Sequence, residues 1–390
     1  MSKAQPPDSG ELEVSVFGPG YGESVLLHVG HGAWIVIDSC IDPKTGRSAP
    51  LSYLESIGVK PESAIRLVVA SHWHADHVRG LHQLFSAAKT AMFSCAESLA
   101  REEFLTLANI YCNEPGKIPL GPEELYQCLT TVRERAQQSG TQLHRWAGPD
   151  RILWQTSNNA SLKVRVTTLS PSDEMHSRTI QLMLDYIKAL KMGHSEPRLL
   201  ASCPNDVAVA LLLEINGRQI LMGSDLEQES NASVGWSAVM SGEAVKDTKC
   251  CAFKVSHHGS YSGHNDAVWD ELLETAPLAL ITPFRYGRLR IPTESDRARI
   301  LARTGEAYIS ADPNRSAKGP KKSKNVQAIL DNTIRDRRLA IGPVGHIRWR
   351  APIDDPVDRG VVELFDGAIP LEAVARTVGC GKSANRTVRD

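Results

Sequence analysis

The sequence predicts an α/β protein with two β-sheets and helices packed on their outer faces. Runs rich in β-branched residues come first as meanders joined by tight turns, and later runs alternate with helical segments. The chain has 390 residues, of which 42% are hydrophobic, so it can bury a large core. We predict one enlarged domain over residues 1–350, followed by a C-terminal extension over 351–390 that is partly disordered.

The first half of the chain alternates between strand and helix patterns. Three apolar runs separated by short turns predict strands within residues 12–38. A short helix over 51–58 should end at Gly58, and the apolar run 65–71 has the length of a buried strand. Helix formers dominate much of the segment 97–195, which we predict to be a helical insertion that includes one strand.

The second half contains a clear hairpin signal. Asn216-Gly217 separates two apolar runs, and this dipeptide favours the tight turn of a β-hairpin. The remaining predicted elements are, in order, a strand over 251–257, a helix over 266–276, a strand over 278–284, a helix over 327–336 and a strand over 345–350.

Composition narrows the choice of function. The 44 basic and 45 acidic residues leave a net charge of −1, which predicts no general attraction to polyanions. The charge is unevenly placed, because Arg285–Arg350 contains sixteen Lys or Arg and six Asp or Glu. The polar start, the lack of a long apolar run and eight scattered cysteines favour a cytoplasmic protein with reduced thiols and no membrane contact.

One motif carries most of the chemical information. His72-Trp-His74-Ala-Asp76-His77 follows the predicted buried strand, so four metal-ligating side chains fall within six positions. In extended chain, alternate side chains point to the same side, which brings His72 and His74 together. Asp76 and His77 then fall on the following turn. This spacing is suited to holding two cations a few ångströms apart, an arrangement that activates water.

These residues resemble the H-x-H-x-D-H signature of the metallo-β-lactamase superfamily. Gly223-Ser224-Asp225 is similar to the superfamily's later motif, whose Asp bridges two metals. Lys254-Val-Ser-His257-His258-Gly-Ser260 resembles the K-V-x-H-H-G-S element of its ComEC/Rec2-like branch, as does the opening FGPGYGES with a downstream Asp38. The resemblance implies a four-layer αβ/βα sandwich with its active site at one edge.

The resemblance also implies a set of site residues. The expected metal ligands are His72, His74, Asp76, His77, Asp225 and His257. Asp76 and His258 are expected to take part in catalysis, with His258 as a proton donor. The choice between the two histidines comes from strand geometry: His257 ends the predicted strand at the site, and alternation points His258 the other way. An exchange of roles between His257 and His258 remains open.

The expected substrate contacts are less sharply defined. Asn205 and Asp206 stand where many members of the superfamily have another His, and they are expected to coordinate an ion or orient substrate. Ser260 and His264 are expected in the pocket. Arg285 and Arg288, with the lysines of the 318–324 loop, are expected to form a cationic rim for phosphates.

The expected function is that of a metal-dependent hydrolase with two divalent ions, zinc or alternatively manganese. The leading hypothesis is a phosphodiesterase or nuclease that acts on nucleic acid or a nucleotide through a metal-activated water. Two alternatives stay open: hydrolysis of a carboxylic ester, lactone or thioester, and a metal-binding regulatory subunit with vestigial activity. The helical insertion and the C-terminal tail are candidate contacts for a protein partner.

Overall fold

The structure is a computed structural model that describes residues 4–18, 22–112, 120–157, 159–192, 204–314 and 344–374. Its strands, in chain order, are β1 (Glu11–Gly18), β2 (Ser24–His28), β3 (Trp34–Ile37), β4 (Ile41–Asp42), β5 (Arg47–Ser48), β6 (Ile65–Val69), β7 (Met92–Ser94), β8 (Arg151–Gln155), β9 (Val164–Thr168), β10 (Leu211–Ile215), β11 (Arg218–Met222), β12 (Cys250–Lys254), β13 (Leu273–Ile281), β14 (Phe284–Tyr286), β15 (Leu289–Ile291), β16 (Ala307–Ile309), β17 (Gly345–Pro352), β18 (Val361–Phe365) and β19 (Ile369–Pro370).

The helices pack outside these strands. In chain order they are α1 (Ala49–Ser56), α2 (Pro61–Ala64), α3 (Ala75–Val78), α4 (Leu81–Ala87), α5 (Glu102–Cys112), α6 (Leu120–Ser139), α7 (Asp173–Lys191), α8 (Gly235–Met240) and α9 (Glu294–Leu301). Within the described part of the chain, none of the helices is both long and apolar enough to cross a bilayer.

The strands form two large mixed sheets. The first has the order β18-β17-β1-β2-β3-β6-β7, and the second has the order β19-β16-β13-β12-β11-β10-β9-β8. In the first sheet β3, β6 and β7 run parallel, and in the second β11, β12, β13 and β16 run parallel. The other neighbours in these two sheets are antiparallel.

Alternation of side chains along the second sheet divides the core into two layers. Leu211 and Leu213 of β10 pack with residues of the first sheet such as Leu26, whereas Leu212 packs with Trp236 of α8. Both faces of the sheet are therefore apolar, as expected for a sheet that is covered on each side. This arrangement of two sheets between helices confirms the predicted αβ/βα fold class.

Several predicted elements differ in their bounds. The helix expected over 266–276 ends at Leu272, and β13 begins at once. Pro277 disfavours helical geometry at Ala276, whose φ is 52°. Helix α7 of the predicted helical insertion begins at Asp173, where the Ser172 side chain accepts a hydrogen bond from the Met175 amide as an N-cap. The turn at Asn216-Gly217 forms as predicted, with positive φ at both residues.

The predicted insertion over 97–195 and the C-terminal extension both contribute strands to the two sheets. The segment 97–195 contains helices α5, α6 and α7, but β8 and β9 of the second sheet lie between them. In the C-terminal extension, β18 extends the first sheet and β19 extends the second. The helix predicted over 327–336 lies outside the described residues.

Candidate metal centre

The polar side chains of four chain segments meet at one edge of the sandwich. The His72–His77 segment follows β6, Asp225 follows β11, and His258 follows β12. Glu23 directly precedes β2, which runs opposite in direction to β3 and β6, so the start of β2 lies at the edge where β6 ends. Because β6 lies in one sheet and β11 and β12 in the other, the carboxyl ends of strands from both sheets deliver ligands to the same place.

One group of side chains centres on His77. The His77 Nε2 atom lies 3.4 Å from Asp225 Oδ1 and 3.8 Å from Asp76 Oδ2. The His258 Nε2 atom lies 3.4 Å from Asp76 Oδ2 and 3.6 Å from Asp225 Oδ2. His77, Asp225, His258 and Glu23 bring one potential ligand atom each within 4.8 Å of one another, and all four are buried.

A second group shares Asp225 with the first. One potential ligand atom from each of His72, His74 and Asp225 lies within the same 4.8 Å limit. The His72 Nε2 atom is 3.9 Å from Asp225 Oδ2, and the ring centroids of His72 and His74 are 5.1 Å apart. Asp225 therefore lies where one carboxylate can serve both groups.

Buried hydrogen bonds hold the imidazoles in position. Asp38 Oδ2 accepts from His77 Nδ1 at 2.7 Å, and the same carboxylate accepts from the Ser71 amide and hydroxyl. The Ser71 hydroxyl also lies 2.9 Å from His72 Nδ1. Since Nδ1 of each ring is engaged from behind, Nε2 of each ring is directed into the cluster.

The atoms that face the cluster are without hydrogen-bond partners. Among the residues that the structure describes, His72 Nε2, His77 Nε2, His258 Nε2 and Asp225 Oδ1 are buried with no partner. Buried polar atoms are normally paired, and four polar atoms without partners in one place are costly. Bound divalent ions would satisfy them, so this set of nitrogen and oxygen donors fits a two-metal centre.

The charges within the cluster also favour cations. Burial lowers the pKa of His72, and the neighbouring His77 lowers it further, so that the His72 ring is neutral. Burial would also lower the pKa of His77, but Asp225, Asp38 and Asp76 together hold it well above its ordinary value. Burial would raise the pKa of Asp225, yet His258 and His77 keep this carboxyl ionised. The cluster thus places ionised carboxylates in a buried, electron-rich site.

His257 and His258 do not follow the alternation of a strand. Strand β12 ends at Lys254, and both histidines have left-handed backbone conformations, with φ of 45° and 55°. Such values are strained for non-glycine residues and are found mainly at functional sites. This turn directs His258 into the cluster. His257 Nδ1 contacts the Ser262 hydroxyl at 2.7 Å instead.

His257 belongs to a small polar group beside the cluster. Asn205 Nδ2 donates to Glu227 Oε1 at 2.7 Å and lies 3.3 Å from His257 Nε2, while Asn205 Oδ1 is buried without a partner. Glu227 Oε1 is also 3.0 Å from His257 Nδ1. The structure brings Asn205 close to the site, and Asp206 follows it half-buried on a short helical turn.

The other predicted substrate contacts lie on two chain segments, the loop after His258 and the β14–β15 hairpin. Ser260 is on the loop after His258, with its hydroxyl 3.0 Å from that of Ser262. His264 Nε2 contacts Asp266 at 3.2 Å. Arg285 is half-buried and Arg288 exposed on the β14–β15 hairpin.

The basic segment is divided by the fold. Arg348 pairs with Glu363 at 2.7 Å and Arg350 with Glu13 at 2.7 Å, and both arginines are buried in the first sheet. Their charge is thus neutralised within the sheet rather than presented to a ligand. The lysines Lys318, Lys321, Lys322 and Lys324 lie outside the described residues.

Three residues acquire a role only from the structure. Glu23 and Lys254 lie within motifs noted above, and they form a buried ion pair of 2.7 Å behind His258. Glu23 Oε2 is 3.5 Å from His258 Nδ1. Glu227 comes two residues after Asp225, and this closeness in sequence to an expected ligand could have identified it as a candidate site residue.

One family model matches the segment that supplies three of the histidines of the candidate metal centre. The family model of the Metallo-beta-lactamase superfamily matches residues 17–103, which is less than half of the chain. This matched segment includes Glu23, Asp38 and the His72–His77 motif. The match agrees with the superfamily resemblance of the His72–His77 motif within that segment.

Solved structures similar to this chain include three metallo-β-lactamase-fold proteins. A Cronobacter sakazakii metallo-β-lactamase with an HARLDQ motif is 14% identical and covers 64% of this chain and 78% of its own, with a TM-score of 0.33. The metallo-β-lactamase SMB-1 is 13% identical, with coverage of 70% and 88% and a TM-score of 0.31. YhfI from Bacillus subtilis is 14% identical, with coverage of 66% and 78% and a TM-score of 0.30. No curated protein sequence matches the chain significantly.

Proposed function

We propose that this protein is a phosphodiesterase that acts on nucleic acid or a nucleotide with two divalent ions, zinc or alternatively manganese. The main support is a pair of ligand groups that both contain Asp225 and whose inward atoms are buried without partners. These groups lie beside a hairpin rich in arginine. The sequence resemblance of residues 254–260 to the ComEC/Rec2-like branch, which is linked to DNA degradation, supports this substrate class.

The geometry favours one assignment of the ligands. His72, His74 and Asp225 would hold the first ion, while Asp76, His77, His258 and Asp225 would hold the second. In this proposal His258 is a metal ligand and His257 lines the pocket, so the two histidines exchange the roles expected from the sequence. Asn205 and His257 lie together beside the cluster, where they can contact substrate or complete the first ion's ligand set.

The protein's own groups prepare the site for chemistry. When bound, two divalent ions would lower the pKa of a water and offset the charge that develops on phosphoryl oxygens. Asp38 holds His77 with its Nδ1 proton directed away from the cluster, and Ser71 positions His72. His257 is only partly buried, so it can exchange a proton with the leaving oxygen of a substrate at the cluster.

Metal content and substrate choice test the proposal. The purified protein should contain two divalent ions per chain by elemental analysis, and it should release product from bis-p-nitrophenyl phosphate and from single-stranded DNA. A His74→Ala, Asp225→Ala double variant should lose both activities. Hydrolysis that persists unchanged in that variant, or hydrolysis confined to carboxylic esters, lactones or thioesters, would contradict the proposal.

Charge reversal tests the phosphate contacts separately. Because Arg285 and Arg288 stand on the hairpin beside the cluster, Arg285→Glu and Arg288→Glu should each lower kcat/KM for DNA by about tenfold, more at low salt. The control is Arg178→Glu on α7, which reverses a charge outside the hairpin. Equal losses in all three variants would count against a specific role for the hairpin.

A further inference from the structure

The hairpin formed by β14 and β15 (residues 284–291, the arginine hairpin) begins against the metal cluster. The Phe284 ring stacks on His258, with centroids 5.2 Å apart and planes inclined by 29°. The strands pair Phe284 with Ile291, Arg285 with Arg290 and Tyr286 with Leu289. The base of the hairpin is therefore anchored to a proposed metal ligand, and its tip extends from there.

The two faces of the arginine hairpin have different chemistry. Side chains alternate along each strand, so Tyr286 and Leu289 continue the face on which Phe284 meets His258. Tyr286 is 70% exposed and Leu289 is 50% exposed. A large aromatic ring and a leucine are thus open to solvent, side by side, on the same face of the hairpin as the ring that contacts the cluster.

The hairpin is also strongly cationic. It contains three arginines and no acidic residue. Arg290 Nη1 donates to the carbonyl oxygens of Gly287 and Leu289, which braces the turn. Arg285 lies directly opposite Arg290 across the strands, so the pairing places two cationic side chains together.

We propose that the arginine hairpin binds the nucleobase next to the phosphodiester held at the cluster. The base stacks on Tyr286 with Leu289 beside it, and the arginines neutralise the neighbouring phosphates. An apolar face would also accept an acyl chain, but the net charge of +3 favours a flat anionic ligand. This inference rests on the proposed phosphodiesterase function and narrows its substrate to single-stranded nucleic acid with its bases in place.

The test separates bases from phosphates. Binding of a fluorescent single-stranded thymidine oligonucleotide is compared, by anisotropy, with binding of an abasic strand of equal length and charge. The metal-loaded protein is used, and both strands carry hydrolysis-resistant phosphorothioate linkages so that cleavage does not interfere. Tyr286→Ala should weaken the Kd for the thymidine strand about tenfold and leave the abasic strand unchanged. Tyr286→Phe should preserve binding, as should Leu182→Ala, which truncates a 45% exposed side chain on α7.

The outcomes distinguish this inference from the proposed function. Equal losses on both strands, or no loss on either, would overturn base stacking even if the wild-type protein cleaves DNA. A Tyr286→Ala loss confined to long-chain acyl esters would overturn it in favour of an acyl ligand. If base-dependent binding is found without any cleavage by the wild-type protein, the hairpin proposal stands and the phosphodiesterase proposal fails.

Discussion

Replacing Glu23 with Gln should destabilise the protein through the buried cation that it leaves behind. Glu23 and Lys254 are both almost fully buried, and Lys254 Nζ lies 2.7 Å from Glu23 Oε2. Lys254 Nζ also donates to the Val255 carbonyl oxygen at 3.1 Å. A neutral Gln can accept a hydrogen bond from Lys254, but it cannot offset the ammonium charge.

The expected magnitude follows from that burial. Breaking a buried ion pair by removing one partner costs about 3–5 kcal/mol, because an unpaired charge stays in a poorly polarisable interior. The hydrogen bond that Gln retains places Glu23→Gln near about 3 kcal/mol. Replacing both partners with uncharged residues often changes the free energy of unfolding little. The loss in the Glu23→Gln, Lys254→Met double variant should therefore be smaller than the sum of the losses in the two single variants.

The assay is urea unfolding of chelator-treated protein, so that metal binding does not contribute to the free energy of unfolding. The wild-type protein, the two single variants and the double variant form a complete cycle. The exposed pair Arg47–Glu55, with side chains 44% and 47% exposed, supplies the control. Glu55→Gln should cost at most about 1 kcal/mol.

Two results would refute the reasoning about this pair. A Glu23→Gln protein within about 1 kcal/mol of the wild type would show that the charge of Lys254 is already compensated. Strict additivity of the two single variants would show that Glu23 and Lys254 do not interact. Either result would also weaken the view that Glu23 supports His258 from behind.

Three further predictions concern other parts of the molecule. Asp225→Asn should weaken zinc binding to both ligand groups, since Asp225 belongs to both, and calorimetry should find fewer than two tightly bound ions. Burial lowers the pKa of His28 to about 4 from its ordinary value of 6.5, so its contribution to stability is complete above pH 6.5 and is lost as pH falls through 4. His28→Gln should therefore flatten the pH dependence of unfolding in that window, where the His28 effect reaches about 3 kcal/mol; an unchanged slope would exclude it. Gly223→Ala should cost about 1–3 kcal/mol in denaturant titrations, because its new Cβ would lie 2.1 Å from Ser256 Oγ and 2.9 Å from the Lys254 carbonyl oxygen. Full stability in Gly223→Ala would mean that β11 and β12 can separate freely.

Much of the fold and site was predictable because the signals are local. The His72–His77 motif lies within six positions, so its chemistry is apparent before folding. The Asn216-Gly217 turn depends on the φ preferences of two neighbouring residues, and it formed as predicted. Alternation and apolar runs were sufficient to predict two sheets with helices outside, since these patterns state which faces must be buried.

Element boundaries and several residue roles were less accessible to sequence reasoning. The alternation rule directed His258 away from the site, but the chain leaves strand geometry after Lys254 and two left-handed residues turn His258 inward. That conformation is maintained by surrounding contacts rather than by the preference of histidine.

The kind of site could be predicted from neighbouring residues, because the ligand types and their spacing are local. Which distant groups contact the site depends on how the chain folds. Glu23 meets Lys254 across more than half of the chain, and Arg348 and Arg350, basic like the hairpin arginines, are neutralised inside a sheet. Such pairings depend on how two sheets pack, and the free energy of burying a charge has no local signature along the chain.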